Sequence, residues 1–253
     1  MSENIKGPGM LWVTSRISKS SADILDETTF LKWYDDDHIA EIVATDGIRN
    51  AFRYVHVDKE SALGSAVAPK PFLAFYPMDD LAFTQGAAFK QIRVKSDILP
   101  GSGIIYDLAD IDVSYLGLVG KSDAKAKKEP AQYLLVSAIE PVNTTSEAKI
   151  NAFFEKQTEA ASRAAGYIRT VRVKLLYART NAQSRALKGL PTTDEAAPEP
   201  PTWQAVHEFS IEPSSELKKT VEDDQSEVLQ RAKQNELNVY ALARVQGEGK
   251  FFE

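Results

Sequence analysis

The chain has 253 residues and contains no cysteine. Disulfides, thiol nucleophiles and cysteine-ligated metal sites are therefore excluded. No run of 18 apolar residues occurs, so a membrane-spanning helix is not expected. The first residues also lack the basic start and long apolar stretch of a signal peptide. From these absences we expect a cytoplasmic protein.

An excess of positive charge is also absent, because 30 Lys and Arg residues face 36 Asp and Glu residues. The formal net charge is −6 and the pI is about 5.3, which gives no general attraction to nucleic acid or to an anionic membrane. The turns GPG, GSG and GEG lack the strand–loop–helix context of a phosphate-binding loop. The three acidic residues Asp35–Asp37 point in different directions on a helix, so we interpret them as a solvated face. We therefore expect no nucleic-acid partner, no cofactor and no metal.

The chain instead contains one order of elements twice. Each half is predicted to be β-α-β-β-α-β, and a small, charged segment typical of a linker, Gly120–Pro130, lies between the halves. The first half has predicted strands at 10–18, 48–57, 71–78 and 103–119, and helices at 28–45 and 81–94. The second half has predicted strands at 131–141, 166–178, 202–211 and 236–245, and helices at 146–164 and 214–234.

The two halves share a register. Gly47 and Gly166 are 119 positions apart, and Arg53 and Arg172 are separated by the same distance. The stretches FLAFYPM and WQAVHEF match at an offset of 131, so 12 additional residues fall in segment 178–201. This Pro- and Ala-rich segment is predicted to be an irregular, mobile surface loop that could close over a pocket mouth. The register predicts an internal duplication.

The element order predicts an α+β fold. A β-α-β-β-α-β unit is the ferredoxin-like fold, in which two helices cover one face of a four-stranded antiparallel sheet. Both alternating sets of residues in the strand PFLAFYPM are apolar, so the other sheet face also needs a cover. We therefore expect tandem ferredoxin-like domains, 1–120 and 130–253, to pack sheet to sheet as an intramolecular α+β-barrel. Remaining sheet edges and apolar helical faces would allow a homodimer.

The segment KWYDDDHIAEIVATDGIRNAFRY, residues 32–54, resembles the EthD-type motif of dimeric α+β-barrel proteins. In that motif a helix with Trp-Tyr, acidic residues and a His precedes a turn glycine and a strand. The pieces FLAFYPMDDLAF, SDILPGSG, DLADID, YARTNAQSRALKGLP and HEF resemble a group of fungal tandem EthD-domain proteins of this length. The resemblance covers nearly the whole chain and implies the barrel. It leaves the reaction open, because such barrels include cyclases, monooxygenases, isomerases, dehydratases and haem-binding enzymes.

His38 is the candidate catalytic residue. On a helical wheel it lies between Tyr34 and Ile42 and faces the sheet, with Asp37 and Glu41 at the edge of that arc. One interpretation is a structural core histidine. The other is a general acid or base, since imidazole titrates near neutrality and a neighbouring carboxylate can tune its pKa. The resemblance to the EthD-type motif favours the second interpretation.

The second repeat lacks an equivalent proton-transfer group. A gap-free match at offset 119 pairs Trp33 with Ala152, Tyr34 with Phe153, His38 with Gln157 and Glu41 with Ala160. We therefore expect one working site, in the first repeat, and a degenerate pocket in the second.

Other residues are assigned to the same pocket. The phenol of Tyr76, on the strand FLAFYPM, could donate a hydrogen bond to a developing oxyanion, although a core tyrosine is the plainer interpretation. Arg53 could bind a substrate carboxylate, although an ion pair is the commoner role. The catalytic candidates are His38, Tyr76 and Tyr34, and the substrate-binding candidates are Trp33, Asp37, Glu41, Arg53 and Phe72.

Two functions from different classes agree with these residues. The first is a cofactor-independent enzyme of secondary, polyketide or aromatic metabolism, of lyase, cyclase or isomerase type. In it His38 would move a proton during cyclisation, dehydration, decarboxylation or isomerisation of a small apolar or aromatic molecule. The second is a non-catalytic protein that binds an apolar ligand. A cofactor-free monooxygenase and a haem protein with His38 as ligand are further alternatives.

Overall fold

The computed structural model describes residues 5–123, 129–194, 196, 199–250 and 252. Within them the chain forms eight strands. They are β1 (Gly9–Ile17), β2 (Asn50–His56), β3 (Phe72–Met78), β4 (Ala109–Lys121), β5 (Tyr133–Glu140), β6 (Tyr167–Arg179), β7 (Trp203–Phe209) and β8 (Gln234–Gly247).

The first helical stretch consists of three consecutive pieces: α1 (Glu27–Lys32), a π-helical segment (Trp33–His38) and α2 (Ile39–Val43). The other α-helices are α3 (Ala87–Gln91), α4 (Ile105–Leu108), α5 (Glu147–Ser162), α6 (Asn181–Leu187), α7 (Ser215–Glu222) and α8 (Glu227–Gln230). Short 3-10 helices are formed by Lys19–Ser21 and Leu81–Gln85. None of the described helices is long and apolar enough to cross a membrane.

Strands β1 to β4 have the antiparallel order β4-β1-β3-β2, which is that of a ferredoxin-like sheet. Leu11 of β1 lies opposite Tyr76 of β3, and Arg53 of β2 lies opposite Ala74. Alternate residues of β3, among them Phe72, Ala74 and Tyr76, belong to the hydrophobic core that also contains Phe30 of α1. The sheet therefore presents Tyr76 on the face that the first helical stretch covers.

Strands β5 to β8 repeat this arrangement as β8-β5-β7-β6. Leu135 of β5 lies opposite His207 of β7, and Arg172 of β6 lies opposite Ala205. Helix α5 packs its buried side on the core around Ala205. His207 and Arg172 thus occupy the places that Tyr76 and Arg53 have in the first sheet.

All eight strands follow the order β1-β3-β2-β8-β5-β7-β6-β4, which closes a barrel and confirms the expected α+β-barrel. The chain divides into two compact units: the first contains the described residues of 1–117, 176–199 and 243–253, and the second those of 118–175 and 200–242. The bounds of these units differ from those of the expected domains 1–120 and 130–253, which stay a prediction. The difference arises because β4, β6 and β8, with 13, 13 and 14 residues, each continue past a unit boundary.

Segment 178–201 is not wholly irregular, as we expected it to be. It contains helix α6, which begins with a capping box between Thr180 and Gln183, and Ala182 and Ser184 are buried. Such a box satisfies backbone N–H groups at a helix start and favours helix over loop. Positions 195, 197 and 198 lie outside the described residues, as do positions 124–128 of the expected linker. The mobility of the segment stays a prediction.

Candidate active site

A π-helical segment, Trp33–His38, lies in the middle of the first helical stretch. The stretch starts at the N-cap Asp26, whose carboxylate accepts a hydrogen bond of 2.8 Å from the Thr29 N–H. At the end of the segment the Ile39 N–H bonds to the Tyr34 carbonyl, five residues back. Such π-helical turns are rare in proteins, and those that occur often lie at functional sites.

The π segment absorbs one additional residue. Gly47 follows the cap Asp26 by 21 positions, whereas Gly166 follows the equivalent cap Ser146 by 20. Helix α5, which lies between the second pair of landmarks, is α-helical throughout. The first stretch therefore has one residue more to place, and a wider turn places it without moving either end.

This additional residue corrects the sequence match in the first half of the helix. The rings of Trp33 and Tyr34 lie 5.1 Å apart at 60°, and those of Phe153 and Phe154 lie 5.0 Å apart at 65°. These two pairs are therefore equivalent, and the expected match of Trp33-Tyr34 to Ala152-Phe153 is wrong by one position. A gap-free comparison could not detect a residue inserted inside a helix. From the last residue of the segment onward the offset of 119 holds, so His38 still matches Gln157.

The π segment also builds the surroundings of His38. The imidazole stacks on Trp33 with ring centroids 4.8 Å apart at 17°, and it meets the edge of Tyr34 at 6.0 Å. In a π turn the i→i+5 repeat brings residue i+5 back over residue i, which explains the stacking of His38 over Trp33. Phe30 packs on both aromatic residues, at 5.9 Å and 5.5 Å.

A cavity of about 60 Å³ lies beside this cluster, within the first unit. It holds a few water molecules or a very small ligand, and a drug-sized ligand, which needs about 300 Å³ or more, requires side chains to move. Its polar lining residues are His38, Tyr34, Tyr76, Tyr106, Arg179 and Lys188. The apolar part of the lining includes Leu11, Trp33, Ile42, Phe89 and Ile105.

His38 is neutral at physiological pH. Burial lowers the pKa of its imidazole to about 4, the Asp37 carboxylate opposes that change, and the charges of Lys188 and Arg93 add to it. The Nδ1 atom is buried and has no hydrogen-bond partner among the described residues. A nitrogen that is neutral and unpaired can accept a proton or a hydrogen bond.

Tyr34 and Tyr76 are protonated hydrogen-bond donors. Burial raises the pKa of both phenols well above their ordinary value. The neighbouring Tyr34 hydroxyl and the charge of Asp35 raise the pKa of Tyr76 further. The site therefore combines one neutral acceptor with two neutral phenols.

The carboxylates of Asp37 and Glu41 are bound on the outside of the helix. The Arg93 side chain donates to Asp37 at 2.8 Å and to Glu41 at 3.2 Å. Neither residue is among those that line the cavity within the described chain. Asp37 acts on His38 through its charge, and a substrate contact by either residue stays a prediction.

Arg53 and Phe72 contact other residues of the first unit, and a substrate contact by either stays a prediction. Arg53 is buried and donates to both carboxylate oxygens of Asp35, at 2.7 Å and 2.6 Å. Phe72 is fully buried against Phe30, with ring centroids 5.3 Å apart. Neither Arg53 nor Phe72 is among the described residues that border the cavity. The ion pair, the commoner role of a strand arginine, is what the structure shows.

Sequence reasoning missed Arg179 and Lys188, which line the cavity. Both lie in segment 178–201, which was assigned to a surface loop. Two signals could have found them: the strand pattern that continues to residue 178, and the Thr180-x-x-Gln183 spacing of a capping box. Their distance in sequence from His38 hid their proximity in space.

The second unit has a different pocket at the equivalent place. Gln157 borders a cavity of about 160 Å³, and both polar atoms of its buried side chain have no hydrogen-bond partner in the described chain. The titratable residues of that lining are Glu222 and Glu236, and both are exposed. An amide does not titrate, so this position cannot transfer a proton as His38 can.

No family model and no curated protein matches the chain. Solved structures do resemble it. An anthrone oxidase-like protein is 13% identical, with 98% of this chain and 96% of that chain covered and a TM-score of 0.55. A variant of chlorite dismutase from Candidatus Nitrospira defluvii is 11% identical, with 94% and 92% covered and a TM-score of 0.50. These similarities show that the chain shares the α+β-barrel fold.

The residues around His38 do not fit a haem. The cavity of about 60 Å³ is far smaller than a porphyrin. Among the described residues, no group of three or more His, Asp or Glu side chains is placed to hold a metal ion.

Proposed function

We propose that the first unit contains the active site of a cofactor-independent enzyme that acts on a small aromatic or enolisable molecule, with His38 as proton acceptor. The observation that carries this proposal is the buried, unpaired Nδ1 of His38 in a residue that lines a cavity. An unpaired buried polar atom costs about 1–3 kcal/mol, so a bound molecule that forms a hydrogen bond with this nitrogen would recover that cost.

The electrostatics limit the reaction. An imidazole with a pKa of about 4 is always available as a base at neutral pH, but it is a weak one. We therefore propose a substrate with an acidic C–H or O–H proton, such as a phenol or a 1,3-dicarbonyl compound. The neutral phenols of Tyr34 and Tyr76 would donate hydrogen bonds to the enolate or phenolate that forms.

Cyclisation, dehydration, decarboxylation and isomerisation can all begin with this proton transfer, and the resemblance of residues 32–54 to the EthD-type motif supports such chemistry. A cofactor-free oxidation by dioxygen would start from the same deprotonated substrate. It is the second candidate because the anthrone oxidase-like protein shares the fold. A ligand-binding protein without turnover is the third.

The test measures deuterium exchange at acidic C–H positions of phenolic and 1,3-dicarbonyl compounds by NMR in D₂O, with dioxygen consumption recorded in parallel. His38→Gln should slow exchange by roughly 10²-fold, the low end for a general base, because the base is weak. The wild-type rate should stay constant above about pH 5 and fall as pH decreases through about 4, where the imidazole becomes protonated.

The matched control is Gln157→Ala, at the equivalent position of the second unit, which should change the exchange rate less than twofold. Equal rates for wild type and His38→Gln would refute the proposal. Consumption of dioxygen that requires His38 would favour the oxidation, and saturable binding without exchange would favour the ligand-binding protein.

A further inference from the structure

Arg179, at the end of β6, is a buried cation with unused hydrogen-bond donors. Only 6% of its surface is exposed, and its Nε and Nη1 atoms are buried without a hydrogen-bond partner among the described residues. A guanidinium is charged at every accessible pH and has five N–H donors. Burying the unpaired donors of a charged group costs more free energy than burying those of a neutral group. We therefore expect a bound molecule to use them.

Lys188 adds a second positive charge to the same cavity. Burial and the charge of Arg179 lower the pKa of its ammonium group to about 8, and the charge of Glu41 opposes that change. Its Nζ donates to the carbonyls of Lys90 and Ile92, each at 2.7 Å, which leaves one of its three protons for another acceptor. Two like charges at one partly buried site repel each other, and an anion between them would relieve that repulsion.

Among its described lining residues, the cavity has no carboxylate that could compensate these two positive charges. Within the described chain, neither an Asp nor a Glu is among the lining residues. The acidic residues of the neighbouring helix face, Asp37 and Glu41, are bound to Arg93. The remainder of the lining is mainly aliphatic and aromatic. This combination suits a ligand with an apolar body and a negative charge.

The guanidinium is held in place by Tyr115, whose ring centroid lies 5.6 Å from its Cζ atom. Arg179 also lines a neighbouring cavity of about 230 Å³ in the same unit, together with Tyr115 and Tyr177. A ligand larger than the cavity at His38 therefore has room on both sides of the guanidinium.

We propose that this site takes an aromatic or apolar carboxylate, whose anionic group pairs with Arg179 while its apolar part lies toward His38. The planar fork of a guanidinium matches the two oxygens of a carboxylate. Lys188 supplies a second, pH-dependent attraction. The inference rests on the proposed function, because it names the substrate class of the same site.

The test compares the binding of benzoate with that of benzamide, a neutral analogue of the same shape, by isothermal titration calorimetry at pH 7. Wild type should prefer benzoate by roughly tenfold or more, since hydrogen bonds to charged groups are the stronger ones. Arg179→Met should abolish the preference by weakening benzoate alone. Arg179→Lys should restore part of it. Benzoate affinity of the wild type should decrease as pH rises through about 8, where Lys188 loses its charge.

Arg172→Met is the matched control, because this strand arginine of the second unit lines no part of the cavity at His38 and should leave the preference intact. Equal affinity of wild type for the two probes, absence of binding by either at millimolar concentration, or equal loss of both in Arg179→Met would overturn the inference. A benzoate preference without His38-dependent proton exchange would uphold the carboxylate site and refute the proposed reaction. Proton exchange that depends on His38, without a preference for benzoate, would uphold the proposed reaction and refute the carboxylate site.

Discussion

Beneath the first helical stretch, His38 lies near Tyr76 at a cavity of about 60 Å³; beneath α5, the equivalent positions carry Gln157 and His207, and the cavity beside Gln157 measures about 160 Å³. At equivalent helix positions, the amide of Gln157 borders the larger cavity and the imidazole of His38 borders the smaller one. His207 forms a hydrogen bond through Nδ1 with the Thr170 hydroxyl at 2.7 Å, and its Nε2 atom is buried without a hydrogen-bond partner among the described residues. The two units therefore differ in which side chain borders the cavity at the equivalent helix position.

The two helices differ in the same way. The stretch over the first sheet contains one residue more than α5 between equivalent landmarks and places it in the π segment. The wide turn puts Trp33 under His38 and permits the stacking that α5, a regular helix, does not reproduce. A single inserted residue thus accompanies the difference between a histidine and a glutamine at this helix position.

Deletions give the largest expected contrast. Removal of the exposed Asp36 should convert the π segment into a regular helix like α5, so the protein should stay folded and lose the stacking of Trp33 on His38. Removal of the exposed Glu155 should turn half of α5 by about 100° and displace Phe153 and Phe154 from the core, at a cost of more than about 4 kcal/mol. Urea unfolding followed by circular dichroism measures both changes. Equal destabilisation by the two deletions would contradict the account of the π segment.

The two strand arginines should differ next. Arg53 forms a bidentate, largely buried ion pair with Asp35, whereas Arg172 makes one long contact, 3.3 Å, to Asn151. Arg53→Met leaves a partly buried carboxylate unpaired, so we expect a loss of about 3 kcal/mol in the free energy of unfolding. Arg172→Met should cost less than about 1 kcal/mol. The same urea unfolding measurement tests this prediction. Similar losses of stability in Arg53→Met and Arg172→Met would show that the ion pair between Arg53 and Asp35 contributes little.

The smallest expected contrast concerns pH. Burial lowers the pKa of His207 to about 4 from an ordinary value of 6.5, so the folded state disfavours the charged form. The stabilisation is present above pH 6.5 and is lost as pH falls from 6.5 through 4, and about 1.4 kcal/mol per pKa unit gives a loss of about 3 kcal/mol. His207→Gln should remove most of this loss between pH 7 and pH 4.

The matched variant His38→Gln should remove a smaller part of the loss, because His38 is not fully buried and water stabilises its charge in part. Unfolding curves recorded at several pH values test both variants. A stability of His207→Gln that still falls as steeply as that of wild type would assign the pH dependence to other groups.

The sequence predicted the fold well, because alternating and helical apolar patterns report directly which face of each element is buried. Element order supplied the ferredoxin-like units, and the apolar character of both faces of β3 required a second sheet. The position of His38 beneath the helix followed from the same periodicity. The residue of the second unit that is equivalent to Tyr34, Phe154, was not predicted, because a gap-free comparison does not detect an inserted residue.

The amino-acid sequence by itself determined the α+β class, the order of the strands and the presence of a histidine on the buried side of the first helix, because these depend on local spacing. Only the tertiary structure decided that Arg53 is held by Asp35 and that Arg179 and Lys188 border the cavity at His38. It also decided that the imidazole is neutral. The physical reason is that burial, charge and hydrogen-bond partners at a site come from segments far apart in sequence, and only the folded chain brings them within reach of one another.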